Sequence, residues 1–123
     1  MKEKASILIV QDELLAAIAL QSNLERLGYR VYEPVATGEE AIESAEQEHP
    51  DVILMDIRLA GEIDGVQAAQ EISARHGTRI ILMTGYSDDE TMERAKELQP
   101  VAYLTKPAPM YRIEAVIALA LGG

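Results

Sequence analysis

The chain has no cysteine at all. That excludes disulfides, zinc-thiolate sites, thiol redox chemistry and a cysteine nucleophile together. Basic residues are also scarce, 11 against 21 acids, for a formal charge of −10. Such a surface repels phosphate backbones and anionic headgroups, so neither direct nucleic-acid binding nor membrane binding is expected. Long apolar runs are missing too. Ile7-Leu8-Ile9-Val10, after Lys2 and Lys4, stops at Gln11-Asp12-Glu13, too short for an export signal, and Ala115 to Leu121 is far short of the about 20 residues of a membrane span. A cytoplasmic location is the expectation. No fixed-period repeat, low-complexity tract or Pro/Gly/Ser linker appears.

What is present suits one compact domain, residues 1–123. The hydrophobic fraction of 48% and the charged fraction of 26% are ordinary for a globular chain of 123 residues. Ile7 to Val10, Val52 to Met55 and Ile80 to Met83 are continuous apolar runs, as strands covered on both faces of a parallel sheet read. Arg30 to Val35 and Val101 to Leu104 are more mixed, like edge strands. Helical spacing fills the intervals. Leu14, Ala17, Ile18, Leu24 and Leu27 line one side of the first helix, which ends at Gly28. Thr37 with Glu40, Asp64 with Gln67 and Ser87 with Glu90 have capping-box spacing, and the last helix follows Pro109. Five strand–helix alternations predict an α/β fold with a doubly wound parallel sheet and right-handed crossovers.

In such sheets chemistry gathers beyond the carboxyl ends of the strands. Those ends run into Gln11-Asp12-Glu13, Asp56, Thr84 and Lys106-Pro107. Two carboxylates on one rim repel unless a cation intervenes, and oxygen ligands without His or Cys point to Mg²⁺ or a similar hard ion. Lys106 adds a second positive charge and Thr84 a hydroxyl. The set suits stabilising a phosphoryl group while a carboxylate attacks phosphorus in line.

The ordered segments Ile7–Glu13, Leu54-Met55-Asp56-Ile57-Arg58-Leu59, Asp64-Gly65, Met83-Thr84-Gly85-Tyr86 and Tyr103-Leu104-Thr105-Lys106-Pro107 resemble the receiver domains of response regulators in two-component signalling. The resemblance spans essentially the whole chain. It implies a flavodoxin-like (βα)5 sheet of strand order 2-1-3-4-5. It implies Asp56 as phospho-acceptor, with Thr84 and Lys106 assisting, and Asp12, Asp56 and the Arg58 main-chain carbonyl as Mg²⁺ ligands. Thr84 and Tyr103 would be the switching pair, and Lys106-Pro107 a cis bond. Tyr86 and Arg58 would flank the pocket mouth. The expected donor is a sensor histidine kinase or phosphotransfer protein. With no output region after Leu121, the expected output is the 88–121 face, read by a downstream protein or a homodimer. Self-phosphorylation and self-dephosphorylation would be its only reactions, with no metabolite substrate.

The departures from the family pattern are Gln11 where an acid is usual, Ala108 where a large aromatic is common, Gly85 where Ala is frequent, and Ala60-Gly61 in place of a proline. Gln11 can reach a metal through water, which predicts weakened Mg²⁺ affinity. It also keeps open a second reading, a pseudo-receiver that binds proteins without phosphorylation. A flavodoxin would need a phosphate-binding Ser/Thr/Gly loop after strand one, and a dehalogenase-type phosphatase Asp-x-Asp after its first strand. A P-loop enzyme would need a Gly-rich Lys-Ser/Thr signature, and none of the three patterns is present. His49 and His76 each close a helical segment, and Glu39, Glu40, Glu43, Glu46 and Glu48 read as a solvated helix face.

Overall fold

The computed structural model describes residues 5–85, 89–98 and 102–122. Strands and helices alternate: β1 (Ser6–Val10), α1 (Leu14–Arg26), β2 (Arg30–Val31), α2 (Gly38–Glu48), β3 (Val52–Asp56), α3 (Gly65–His76), β4 (Arg79–Thr84), α4 (Asp89–Leu98), β5 (Ala102–Thr105) and α5 (Met110–Ala120). The sheet order is β2-β1-β3-β4-β5, parallel throughout. This is the doubly wound architecture expected from the apolar runs.

Alternate residues of each strand feed opposite cores, which is why the strands are apolar without alternation. Leu8, Val10, Ile53, Met55, Ile80 and Leu82 pack under α2, α3 and α4, where Ala41, Ala45, Ala68, Ala69 and Ala95 let the helices sit close. Ile7, Ile9, Leu54, Ile81, Met83 and Leu104 face α1 and α5 through Ala17, Leu24, Ile113 and Ile117.

Three expectations are corrected. β2 is two residues rather than Arg30 to Val35, because Pro34 has no N–H to give a ladder. The chain nevertheless stays beside β1, with Tyr32 N donating to Ile7 O at 3.0 Å and Val35 N to Ile9 O at 3.0 Å. β5 extends to Thr105 rather than stopping at Leu104; Val101 lies outside the described residues. In α1, Leu14 and Ile18 are exposed, as is Leu15, and the buried row runs through Ala17 and Leu24, with Leu20 and Leu27 partly covered. The first turn of α1 starts at the carboxyl edge of the sheet, so Leu14 has no strand beneath it.

Local signals were otherwise followed. Gly28, at φ 97°, forms a Schellman end to α1, its N–H donating to Glu25 O and that of Tyr29 to Leu24 O. Asp64 and Gln67 make a complete capping box. Thr37 caps α2 through Glu40 N, while the Glu40 carboxylate accepts from the Thr37 hydroxyl and Ala36 N. The Ser87 cap, Tyr86, Asp88, Lys2 and Lys4 lie outside the described residues.

Candidate functional site

β3 ends on Asp56 between β1 and β4, so its carboxylate stands where neighbouring strand ends converge. Asp56 is 3% exposed. A buried carboxylate needs a countercharge and hydrogen bonds, and both are present. Lys106 Nζ donates to Oδ2 at 2.7 Å, and Arg58 N donates to Oδ1 at 3.3 Å.

Lys106 reaches inward from a backbone held to β4, its N–H donating to Thr84 O at 2.8 Å and extending the β4–β5 pairing. Its bond to Pro107 is cis. Thr84, the last residue of β4, is 7% exposed. One step along the chain, an added Cβ on Gly85 would lie 3.6 Å from Lys106 Cβ and Cε, an ordinary contact. Glycine there leaves the flank of the lysine uncovered.

Asp12 is exposed at the end of β1, while Gln11 is turned in and 7% exposed. The Gln11 Oε1 accepts from Glu13 N at 3.2 Å, and its own N–H donates to Val35 O at 2.9 Å. Gln11 thus braces the loop that carries Asp12. Tyr103 is half-buried against the α2–α3–α4 core, and burial pushes its phenol above the usual range. The set of Asp12, Asp56 and the Arg58 carbonyl offers only oxygen donors, a fit to a hard divalent ion that keeps most of its waters.

A cleft of about 520 Å³ opens beside Lys106 between α1 and α5, bounded by Gln11, Ala16, Leu20, Met83, Ala108 and Ile113. The small Ala108 side chain helps leave this space.

Two contributors escaped sequence reasoning. Gly65 reads only as the partner of Asp64, yet a Cβ on it would fall 2.1 Å from Asp56 O and 2.8 Å from Ile57 Cα. Only glycine lets α3 start against the backbone of Asp56. Arg94 carries no motif, yet its guanidinium forks onto Asp64, Nη1 to Oδ2 at 3.0 Å and Nη2 to Oδ1 at 3.2 Å. A lone arginine in an acidic helix was the available signal.

The profile of the response regulator receiver domain matches residues 7–118. Among similar proteins, the transcriptional regulatory protein PdtaR of Mycobacterium tuberculosis is 34% identical over 115 residues, covering 94% of this chain and 56% of that protein. The positive alginate biosynthesis regulatory protein of Pseudomonas aeruginosa is 38% identical over 104 residues, 83% of this chain and 41% of that protein. The chain therefore spans about half the length of these curated relatives. Among solved structures, the signal receiver domain of a modulated diguanylate cyclase from Desulfovibrio desulfuricans G20 superposes with a TM-score of 0.92 at 39% identity, covering 98% of this chain and 95% of that one. The receiver domain of sensor histidine kinase PA1611 from Pseudomonas aeruginosa PAO1, with a magnesium ion in its active-site cleft, gives 0.86 at 33% identity, covering 97% of this chain and 98% of that one.

Proposed function

Because the chain belongs to the response regulator receiver family, we propose that residues 1–123 form a single phosphorylation-dependent switch whose acceptor is Asp56. The observation that carries this reading is the buried Asp56 carboxylate held between Lys106 and Arg58 N at the convergence of the strand ends.

In the reaction, an Asp56 carboxylate oxygen attacks the phosphorus of a phosphohistidine on a kinase or phosphotransfer protein. The P–N bond breaks, the imidazole leaves with its electron pair, and an aspartyl phosphate remains. Lys106 holds the carboxylate beforehand and passes to the phosphoryl oxygens as charge moves outward. Thr84, at the neighbouring strand end, donates its hydroxyl to the same oxygens, and Tyr103 follows it inward as the second half of the switch. Asp12, Asp56 and the Arg58 carbonyl would hold Mg²⁺, which supplies positive charge to the phosphoryl group. Gln11 brings no charge to that site, so the metal is held more weakly than an acid there would allow.

The output is the 88–121 face, where Tyr111 and Leu119 of α5 stand exposed and available to a downstream protein or a second copy. A charge of −10 argues against nucleic acid as the direct partner. Among the described residues no helix is long and apolar enough to cross a membrane, and the working compartment proposed is the cytoplasm. The chemistry is confined to the domain's own phosphorylation and dephosphorylation.

Intact mass after acetyl phosphate with Mg²⁺ tests the reading. One phosphoryl adduct is expected, not formed when Mg²⁺ is chelated beforehand and absent in Asp56→Asn; an adduct surviving that substitution would sink it. A pseudo-receiver is the second reading, favoured by Gln11, and it predicts no adduct under any metal condition.

A further inference from the structure

The fork of Arg94 on Asp64 lies outside the phosphoryl site but touches the element that starts against it. Asp64 is held from both helices. Its Oδ1 accepts from Gln67 N at 2.9 Å, its own N–H donates to Gln67 Oε1 at 2.9 Å, and both its carboxylate oxygens take a nitrogen of Arg94. The two charged side chains are only about one-third exposed, 35% and 34%, so the pair is partly shielded and bidentate, the geometry in which an ion pair is directional.

The next residue, Gly65, donates its N–H to Ile57 O at 2.8 Å and lies in van der Waals contact with the carbonyl of Asp56. A short rigid path therefore runs from the acceptor through Gly65 and Asp64 to the α4 helix. α4 also follows β4, whose last residue is Thr84, and it seats the fully buried Ala95 in the core on the α3 side. The fork thus ties α4 to the start of α3, and through Gly65 to the backbone of Asp56, so a shift of α4 against α3 has to loosen it.

We infer that Arg94 and Asp64 form a positioning latch that holds α4 against the start of α3 and opposes phosphoryl uptake at Asp56. This rests on the proposed role of Asp56. A contact made in one arrangement and weakened in the other biases the equilibrium by its differential strength, and the bias is reciprocal: releasing the latch favours phosphorylation, and phosphorylation loosens the latch.

The test uses Asp64→Asn, which keeps a capping oxygen for Gln67 N while removing the charge, together with Arg94→Gln, Arg94→Lys and the double variant Asp64→Asn/Arg94→Gln. Phosphoryl uptake from acetyl phosphate is followed by intact mass, and α4 backbone amides by NMR. Asp64→Asn and Arg94→Gln should each charge about three- to fivefold faster, the scale of a partly shielded ion pair. The double variant should be no faster than either, and Arg94→Lys should fall between wild type and Arg94→Gln. The α4 amides of unphosphorylated Asp64→Asn should shift part-way toward their positions in the phosphorylated wild type. Wild-type charging with unchanged rates and unshifted α4 amides in the variants overturns the latch alone. Failure of the wild type to charge overturns the role of Asp56 and the latch with it.

Discussion

At position 11 a single atom-group difference changes the electrostatics of the site. Asp12 and Asp56 bring two negative charges and Lys106 returns one, so the rim carries about one net negative charge where an acid at 11 would make it two. A carboxylate at roughly 6 Å from a divalent ion contributes about 5 kcal/mol at an effective dielectric of ~20 and near 1 kcal/mol in water. Gln11→Asp should therefore tighten Mg²⁺ binding by about tenfold or more, read by titration against an unphosphorylated domain. Unchanged affinity would mean that the loop brace from Gln11 Oε1 to Glu13 N, which aspartate is too short to reproduce in the same way, matters more than the charge. The other decisive residue is Gly65, whose missing side chain makes room for the Asp56 carbonyl.

Among the elements, α3 has the most determined start. Its cap, Asp64, is pushed up by burial but pulled further down by the Arg94 guanidinium and the Gln67 N–H, so its carboxyl titrates below the usual range. A carboxyl whose folded value is depressed contributes stability that is complete above its unfolded value and is lost as pH falls through the folded one. Wild type should therefore lose stability relative to Asp64→Asn as pH falls below the ordinary aspartate range of about 4. Urea midpoints across that range measure it, and parallel curves for the two proteins would contradict the assignment. α1 shows the opposite case. Its second half is fixed by a Schellman end and by Leu24 in the core, while Leu14, Leu15 and Ile18 in its first half remain in solvent.

For the molecule as a whole, the charge imbalance outweighs the surface ion pairs. Arg75 bridges Glu71 at 2.7 Å and Glu46 at 3.6 Å, and both contacts are about half exposed, so each is a small contribution. Against them stands a net charge of −10, much of it on the acidic face of α2. Raising ionic strength from about 0.01 to 0.15 M shortens the screening length from about 30 to 8 Å. Self-repulsion should fall more than ion-pair attraction, and the urea midpoint should rise. A falling midpoint would show that local pairs dominate.

The sequence by itself determined the strand–helix alternation, the parallel sheet and the placing of Asp12, Asp56, Thr84 and Lys106 at strand ends. Unbroken apolar runs, capping pairs and strand termini are local signals, and two-sided burial leaves them little freedom. What only the tertiary structure decided depends on neighbours distant in the chain. Whether Leu14 is buried turns on where the sheet stops, and whether Gly65 matters turns on a carbonyl nine residues earlier. The partner of Arg94 lies thirty residues away on another helix. The pairing of Lys106 with Asp56 spans fifty residues and exists because β4 carries the backbone of Lys106 to the rim where β3 ends.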